Sequence, residues 1–166
     1  MVFAVSADVL EMFSECITEG LLTDTHTADA PSVHFTKPSF EVKAVHSHML
    51  SIFSDIYARY GPRYSEALYQ RLIARRAYLD GLPVMTEREL FMDIGEGSFL
   101  AGRIDLEVAG KCLYEFKVGS PNISKDSFQL NRYLNVYDIN KETIQVASLV
   151  YFTASGVVVH VVRNYT

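Results

Sequence analysis

The chain has 166 residues, 49% hydrophobic and 21% charged, with two cysteines and a formal net charge of −5. A chain of this size buries enough surface to fold as one domain without a disulfide or metal staple, and its composition excludes a disordered, collagenous or coiled-coil protein. Cys16 and Cys112 read as free thiols in a reducing compartment, and the acidic total excludes a globally basic nucleic-acid binder.

The charge is unevenly spread. Residues 1–31 carry six carboxylates (Asp8, Glu11, Glu15, Glu19, Asp24, Asp29) and no Lys or Arg, so the remainder holds 15 basic and 14 acidic groups. Within it, residues 59–76 contain Arg59, Arg63, Arg71, Arg75 and Arg76 against Glu66 alone, which leaves a polyanionic partner open. The opening Met1-Val2-Phe3-Ala4-Val5 lacks the basic region of a signal peptide. The apolar stretch Val146–Val162 breaks at Ser155-Gly156 and reads as two strands, not a membrane helix. A soluble intracellular protein is expected, with cytoplasm, nucleus and virus particle undistinguished.

In chain order, residues 6–20 have a helical apolar period and 23–38 a Thr-, Asp-, Ser- and Pro-rich linker composition, giving an acidic extension over 1–38 and a domain over 39–166. A helix is predicted from about Phe40 to Tyr60, with Val45, Met49, Ile52, Phe53 and Ile56 as its stripe and Gly61-Pro62 as its stop. The next runs from Tyr64 to Leu79, with Leu68, Leu72 and Leu79 inward. The period then changes to two. Strands are predicted at Val84–Ile94, Ser98–Val108 and Lys111–Val118. In the second, Ile104, Leu106 and Val108 oppose Arg103, Asp105 and Glu107. In the third, Cys112, Tyr114, Phe116 and Val118 oppose Leu113, Glu115 and Lys117. A helix over Ser124–Tyr137 and strands at Ile144–Thr153 and Val157–Arg163 follow. The order helix, three strands, helix, two strands is that of a mixed α/β sandwich.

Chemistry concentrates at Asp105, Glu115 and Lys117. On a strand, Glu115 and Lys117 point to one face, and Asp105 lies on the neighbouring strand. Two converging carboxylates make a site for a hard cation such as Mg²⁺, with a lysine beside it to steady charge on a phosphate or act on a water. Glu-x-Lys alone is commonplace on a solvated strand face. Here, however, the acids are embedded in apolar strands. Gln129 and Tyr133 share a face at i and i+4 of the following helix, and Glu66-x-x-Tyr69 lies in the arginine-bearing helix. Convergence also dictates the hairpin. A two-residue Ala109-Gly110 loop would put Asp105 and Glu115 on opposite faces; a three-residue or bulged turn with Gly110 at positive φ makes them co-facial.

Asp105, Glu115-Phe116-Lys117 and the Gln129-Leu130-Asn131-Arg132-Tyr133 helix together resemble the PD-(D/E)XK nuclease superfamily, in its RecB-like branch with a Gln-x-x-x-Tyr helix. Gly61-Pro62-Arg63-Tyr64-Ser65-Glu66-Ala67-Leu68-Tyr69 is similar to the signature of the GxxExxY proteins, departing at Arg63, where that family has a second glycine. The usual Pro before the first acid is replaced by Ile104. The resemblance covers about residues 45–163 and implies a restriction-endonuclease-like mixed β-sheet flanked by helices. It implies Mg²⁺ or Mn²⁺ held by Asp105, Glu115 and the Phe116 carbonyl, with Glu66 a candidate for a second ion or its water. It further implies that Lys117 positions the attacking water, that Gln129 and Tyr133 orient Lys117 or meet the substrate backbone, and that a phosphodiester is hydrolysed to a 5′-phosphate.

Arg63, Tyr69, Arg71 and Arg75 are the candidate nucleic-acid contacts, since arginines interleaved with tyrosines suit phosphates and stacked bases; a solvated helix with core tyrosines is the competing reading. His46 and His48, two apart on a helix, make a poor metal pair, and His160 reads as structural. Three functions follow: a nuclease acting on DNA or RNA, a catalytically weak nucleic-acid-binding module, and a protein-interaction module docking through residues 1–31. A homodimer is compatible with each, and a membrane partner with none.

Overall fold

The computed structural model describes residues 41–164. The helix expected over 6–20, the linker over 23–38 and the boundary at 38/39 lie outside the described residues. Within them the elements are α1 (Val42–Tyr60), α2 (Glu66–Leu79), β1 (Val84–Asp93), β2 (Ser98–Val108), β3 (Cys112–Val118), α3 (Ile123–Ile139), β4 (Val146–Thr153) and β5 (Gly156–Arg163). The strands form one sheet in the order β1-β2-β3-β4-β5. Every neighbouring pair is antiparallel except β3 and β4, which are parallel. A parallel pair cannot be joined by a hairpin, and α3 supplies the crossover.

The helices cover the two faces of the sheet. On one, Val45, Met49, Ile52, Phe53 and Ile56 of α1 and Tyr69, Ile73 and Ala77 of α2 pack against Leu106, Val108, Tyr114, Phe116, Val150 and Phe152. On the other, Leu130, Leu134 and Tyr137 of α3 pack against Leu90, Ile104, Leu113, Leu149 and Tyr151. The α1 stripe is the one its period predicts. For α2 the expectation of Leu68, Leu72 and Leu79 is corrected in part: the buried row is Tyr69, Ile73 and Ala77, Leu72 is partly buried against the same core, and Leu79 is 62% exposed at the helix end. Positions 69, 73 and 77 form one i, i+4 row, and that row is the one the sheet meets.

The β2–β3 turn has the predicted form. Val108 pairs with Cys112 and Leu106 with Tyr114, so three residues make the loop. Ala109 and Gly110 both take positive φ, 54° and 65°. Odd positions of β2 therefore oppose odd positions of β3.

The simple alternation expected in β2 is broken at one place. Leu106 and Val108 belong to the α1–α2 side, but Ile104 belongs to the α3 side. In β1, Val84 packs on the α1–α2 side, and Leu90 and Met92 on the α3 side. An unbroken strand keeps even positions on one face. Both strands thus change face between the pairs Thr86–Leu106 and Arg88–Ile104. Glu87 and Asp105 lie at the switch, and Glu87 has φ 53°, a left-handed conformation unusual inside a strand.

On the α3 face, Arg88 bonds Glu107 at 2.5 Å and Glu142 at 2.6 Å, and the Tyr137 hydroxyl donates to Glu107 at 2.7 Å. A buried carboxylate must be paired in this way. The network ties α3 and its following loop to β1 and β2.

Candidate active site

The β2–β3 ladder stops at Leu106–Tyr114, and the next position on each strand carries a carboxylate. Asp105 Oδ2 accepts the Phe116 N–H at 2.8 Å, so its own side chain, rather than a β2 carbonyl, satisfies that β3 donor. Asp105 is thereby held against β3, next to Glu115.

Glu115 is 3% exposed. Its Oε1 accepts from Lys117 Nζ at 3.0 Å and from Gln129 Nε2 at 3.3 Å. Its Oε2 is buried without a hydrogen-bond partner among the described residues. Gln129 Nε2 also donates to the Tyr133 hydroxyl at 2.8 Å, so the i, i+4 pair acts together. Asn122 starts α3, its Oδ1 accepting from Lys125 N at 3.4 Å, and this aims the first turns of the helix at Glu115. Tyr133 lies against Gly102 of β2, where an added Cβ would stand 2.2 Å from the ring.

Glu66 is the first residue of α2, after the Ser65 cap, and its Oε1 accepts the Val118 N–H at 3.2 Å. Gly61 ends α1 at φ 72°, its N–H bonding Tyr57 O at 2.7 Å. The Tyr69 hydroxyl donates to the Gly61 carbonyl. The Gly-x-x-x-x-Glu-x-x-Tyr segment is thus a folded unit: the tyrosine ties the helix back to the turn, and the glutamate is left at the helix N-terminus facing the end of β3.

The electrostatics follow from burial and crowding. Burial first, then the Asp105 charge, pushes Glu115 up to about 7, against the pull of Lys117. Burial likewise raises Asp105, opposed by the Phe116 N–H and Lys117 and reinforced by Glu87 and Glu66. Burial draws the Lys117 ammonium down, but Glu115, Asp105 and Glu66 outweigh it and the net shift is upward. Lys117 is therefore a firmly held cation. Two crowded carboxylates, one with an orphaned oxygen, suit a hard divalent cation that takes one or two carboxylates and completes its shell with carbonyls, waters or substrate oxygens. No cluster of three or more His, Cys, Asp or Glu side chains able to hold a metal occurs among the described residues. Such an ion would rest on the Asp105–Glu115 pair.

The structure brings Glu66, Asp105, Glu115, Lys117, Gln129 and Tyr133 to one end of the sheet. Arg63, Arg71 and Arg75 are exposed on or just before α2. Tyr69 is corrected: it is fully buried, stacked on Phe152 with ring centroids 3.9 Å apart, and offers no face to a base. A tyrosine with a buried ring and one bonded hydroxyl serves the core. His46 is buried against the Tyr114 hydroxyl at 2.9 Å, and exposed His48 bonds Asp80 at 2.8 Å. Burial pushes Cys112 up to about 11, which leaves it an inert thiol.

Sequence reasoning missed Gln70, Glu87 and Arg103. Gln70 Nε2 donates to the Asp105 carbonyl at 2.7 Å and to Glu87 Oε1 at 2.8 Å, and Glu87 Oε2 pairs with Arg103 Nε at 2.5 Å. Only the i, i+4 relation of Gln70 to Glu66 placed it on the site's side of α2.

A carboxylate pair on diverging strands, a lysine two residues on and a glutamine on the crossover helix thus stand together at one end of the sheet. The PD-(D/E)XK nuclease superfamily model matches residues 43–163, and the chain belongs to that superfamily, with its restriction-endonuclease-like fold. No curated protein matches the chain. Among solved structures, SSO0001 is similar at 17% identity over 75% of each chain, with a TM-score of 0.38. Members of the superfamily are generally nucleases that use divalent metals, and their substrates are nucleic acids. No helix among the described residues is long and apolar enough to cross a membrane.

Proposed function

We propose that the protein is a metal-dependent nuclease that hydrolyses phosphodiester bonds, with DNA the first substrate to test and RNA the second. The observation that carries the reading is the buried Glu115. One of its oxygens is held by Lys117 and Gln129, the other has no partner among the described residues, and Asp105 crowds it from the next strand. A buried carboxylate pair of this kind is destabilising unless something positive completes it. A divalent cation, when bound, supplies positive charge to the phosphate and lowers the pKa of a bound water. Asp105 and Glu115, with the Phe116 carbonyl, are the groups that would hold Mg²⁺ or Mn²⁺, and Glu66 would hold a second ion or its water.

The protein's own groups divide the remaining work. Lys117 places an ammonium beside the attacked phosphate and offsets the charge that grows there as water adds and the P–O ester bond breaks. Gln129 fixes the Glu115 carboxylate, and Tyr133 fixes Gln129. Arg63, Arg71 and Arg75 meet backbone phosphates on either side of the broken bond; Arg76 is engaged by Asp80 at 3.0 Å. The Gly61–Tyr69 tie and the placement of Glu66 support a relationship to the GxxExxY proteins. Residues 1–38 are an acidic extension and linker in this reading, and residues 1–31 are the segment offered to a protein partner.

A cleavage assay on single-stranded DNA, duplex DNA and RNA with Mg²⁺ or Mn²⁺ tests the proposal. Cleavage abolished by a chelator and by Asp105→Asn is expected. Retention of nucleic-acid binding with no cleavage of any substrate would replace it with the binding-module reading.

A further inference from the structure

A change of face inside two neighbouring strands is costly, because both lose regular pairing at the same level. Here it falls at Glu87 and Asp105, beside the Asp105–Glu115 pair. If β2 kept its alternation through 105, its backbone would run on in the ladder. Instead the ladder ends at Leu106–Tyr114 and the Asp105 side chain takes the Phe116 N–H. Something must hold the backbone in the altered path.

The group that reaches it comes from a different element. Gln70, 7% exposed, projects from α2, and its single amide nitrogen bonds the Asp105 main-chain carbonyl at 2.7 Å and Glu87 Oε1 at 2.8 Å. Glu87 is fixed in turn by Arg103 at its second oxygen, 2.5 Å away, and by its left-handed backbone. One donor thus clamps both strands at the switch, from the helix whose first residue is Glu66. A glutamine is suited to this because both acceptors are oxygens and the amide nitrogen carries two hydrogens. An acid would present oxygen to oxygen, and an apolar side chain would leave the part-buried carbonyl without this donor.

We propose that Gln70 is a positioning residue of the active site: by holding the Asp105 carbonyl and Glu87 together, it turns the Asp105 carboxylate onto the Phe116 N–H and toward Glu115. Glu87 serves as the clamp's second jaw. The metal arm of the test rests on the nuclease reading; the backbone arm does not.

The experiment compares wild type with Gln70→Met, which keeps length and removes the donor, and Glu87→Gln, which keeps an acceptor for Gln70. The backbone arm is amide hydrogen exchange at Phe116 without divalent ions, with Val150 of β4 as the reference for global opening. Gln70→Met is expected to speed Phe116 exchange at least tenfold with Val150 unchanged, and Glu87→Gln to speed it less than Gln70→Met, because it keeps an acceptor for Gln70 and loses the Arg103 pair. The metal arm is Mn²⁺ affinity, expected to fall about 10–100-fold in Gln70→Met, as for groups that orient a metal ligand. Unchanged Phe116 exchange in Gln70→Met overturns the proposal, whatever happens to Mn²⁺ affinity. Equal acceleration at Phe116 and Val150 also overturns it, since Gln70 would then be a general stabiliser. If Gln70→Met does not fold, Gln70→Glu, which keeps the shape and loses the donor, takes its place under the same criteria. A wild type that binds no Mn²⁺ counts against the nuclease reading, and the Phe116 arm still decides the role of Gln70.

Discussion

Replacing Glu115 by glutamine is expected to stabilise the metal-free protein above neutral pH. Burial and the neighbouring Asp105 raise Glu115 from 4.5 to about 7. A carboxyl whose folded pKa lies above its unfolded value binds its proton more tightly in the native state. Its ionisation therefore costs the fold nothing below about pH 4.5, a growing amount between about 4.5 and 7, and a constant amount above. At about 1.4 kcal/mol per pKa unit, the full cost is on the order of 3 kcal/mol, several degrees in Tm for a domain of this size. Glutamine keeps the shape of the protonated acid and cannot ionise. In chelator-treated protein, thermal melts of Glu115→Gln and wild type should coincide near pH 4 and separate by pH 8, with the variant higher. Added Mn²⁺ should reverse the order at pH 8 by raising the wild type alone, because only the wild type offers both carboxylates. A variant that melts below wild type by the same margin at both pH values would refute the reasoning. Glu115 would then be held by Lys117 and Gln129 as an ordinary satisfied ion, and the case for a cation at this pair would fall with it.

Lys117→Ala is expected to lower single-turnover cleavage by about 10²–10³ while leaving nucleic-acid affinity near wild type, since its charge matters most as the phosphate changes. Arg63→Ala should do the opposite, weakening binding in a salt-dependent way, which binding curves at two salt concentrations will read. Tyr69→Phe removes the hydroxyl tie to Gly61 and should cost about 0.5–1.5 kcal/mol in denaturant unfolding with no loss of nucleic-acid affinity; a loss would return Tyr69 to the substrate surface. Gly102→Ala drives a methyl into the Tyr133 ring, so it should destabilise by about 1–3 kcal/mol and slow cleavage by displacing the Gln129–Tyr133 pair, and Tyr133→Leu should relieve the stability defect in the double variant without restoring the rate.

Local rules decided much of this molecule. Gly61-Pro62 stops α1 because glycine takes the positive φ of the cap and proline cannot continue a helix. The two-residue period of β3 separates Tyr114 and Phe116 from Leu113 and Glu115, and those faces are the ones the helices cover. The three-residue turn at Ala109–Lys111 was legible because only odd-with-odd pairing lets Asp105 and Glu115 meet. Motif spacing brought out Glu66, Lys117, Gln129 and Tyr133 for the same reason: a strand or a helix presents its residues at fixed intervals, whatever it packs against.

What the chain could not disclose depends on groups from distant elements meeting at one point. Alternation puts Ile104 and Leu106 on one face. The fold puts them on opposite faces, because a donor from α2 and an acceptor from β1 hold Asp105 out of the regular ladder. Tyr69 reads equally well as a stacking platform or a core ring until Phe152 is found against it. The Leu68, Leu72 and Leu79 stripe is as hydrophobic as the Tyr69, Ile73 and Ala77 row. Only docking on the sheet chose between them, since the Tyr69 hydroxyl finds the Gly61 carbonyl at that rotation of α2 and burial then costs it nothing. Gly102 carries no signal beyond its missing side chain, yet the crossover of Tyr133 above it needs that space. Periodicity is a property of one element. Which of its rows is buried, and which carbonyl is clamped, is a property of the contact between elements, and that is where the site acquired its geometry.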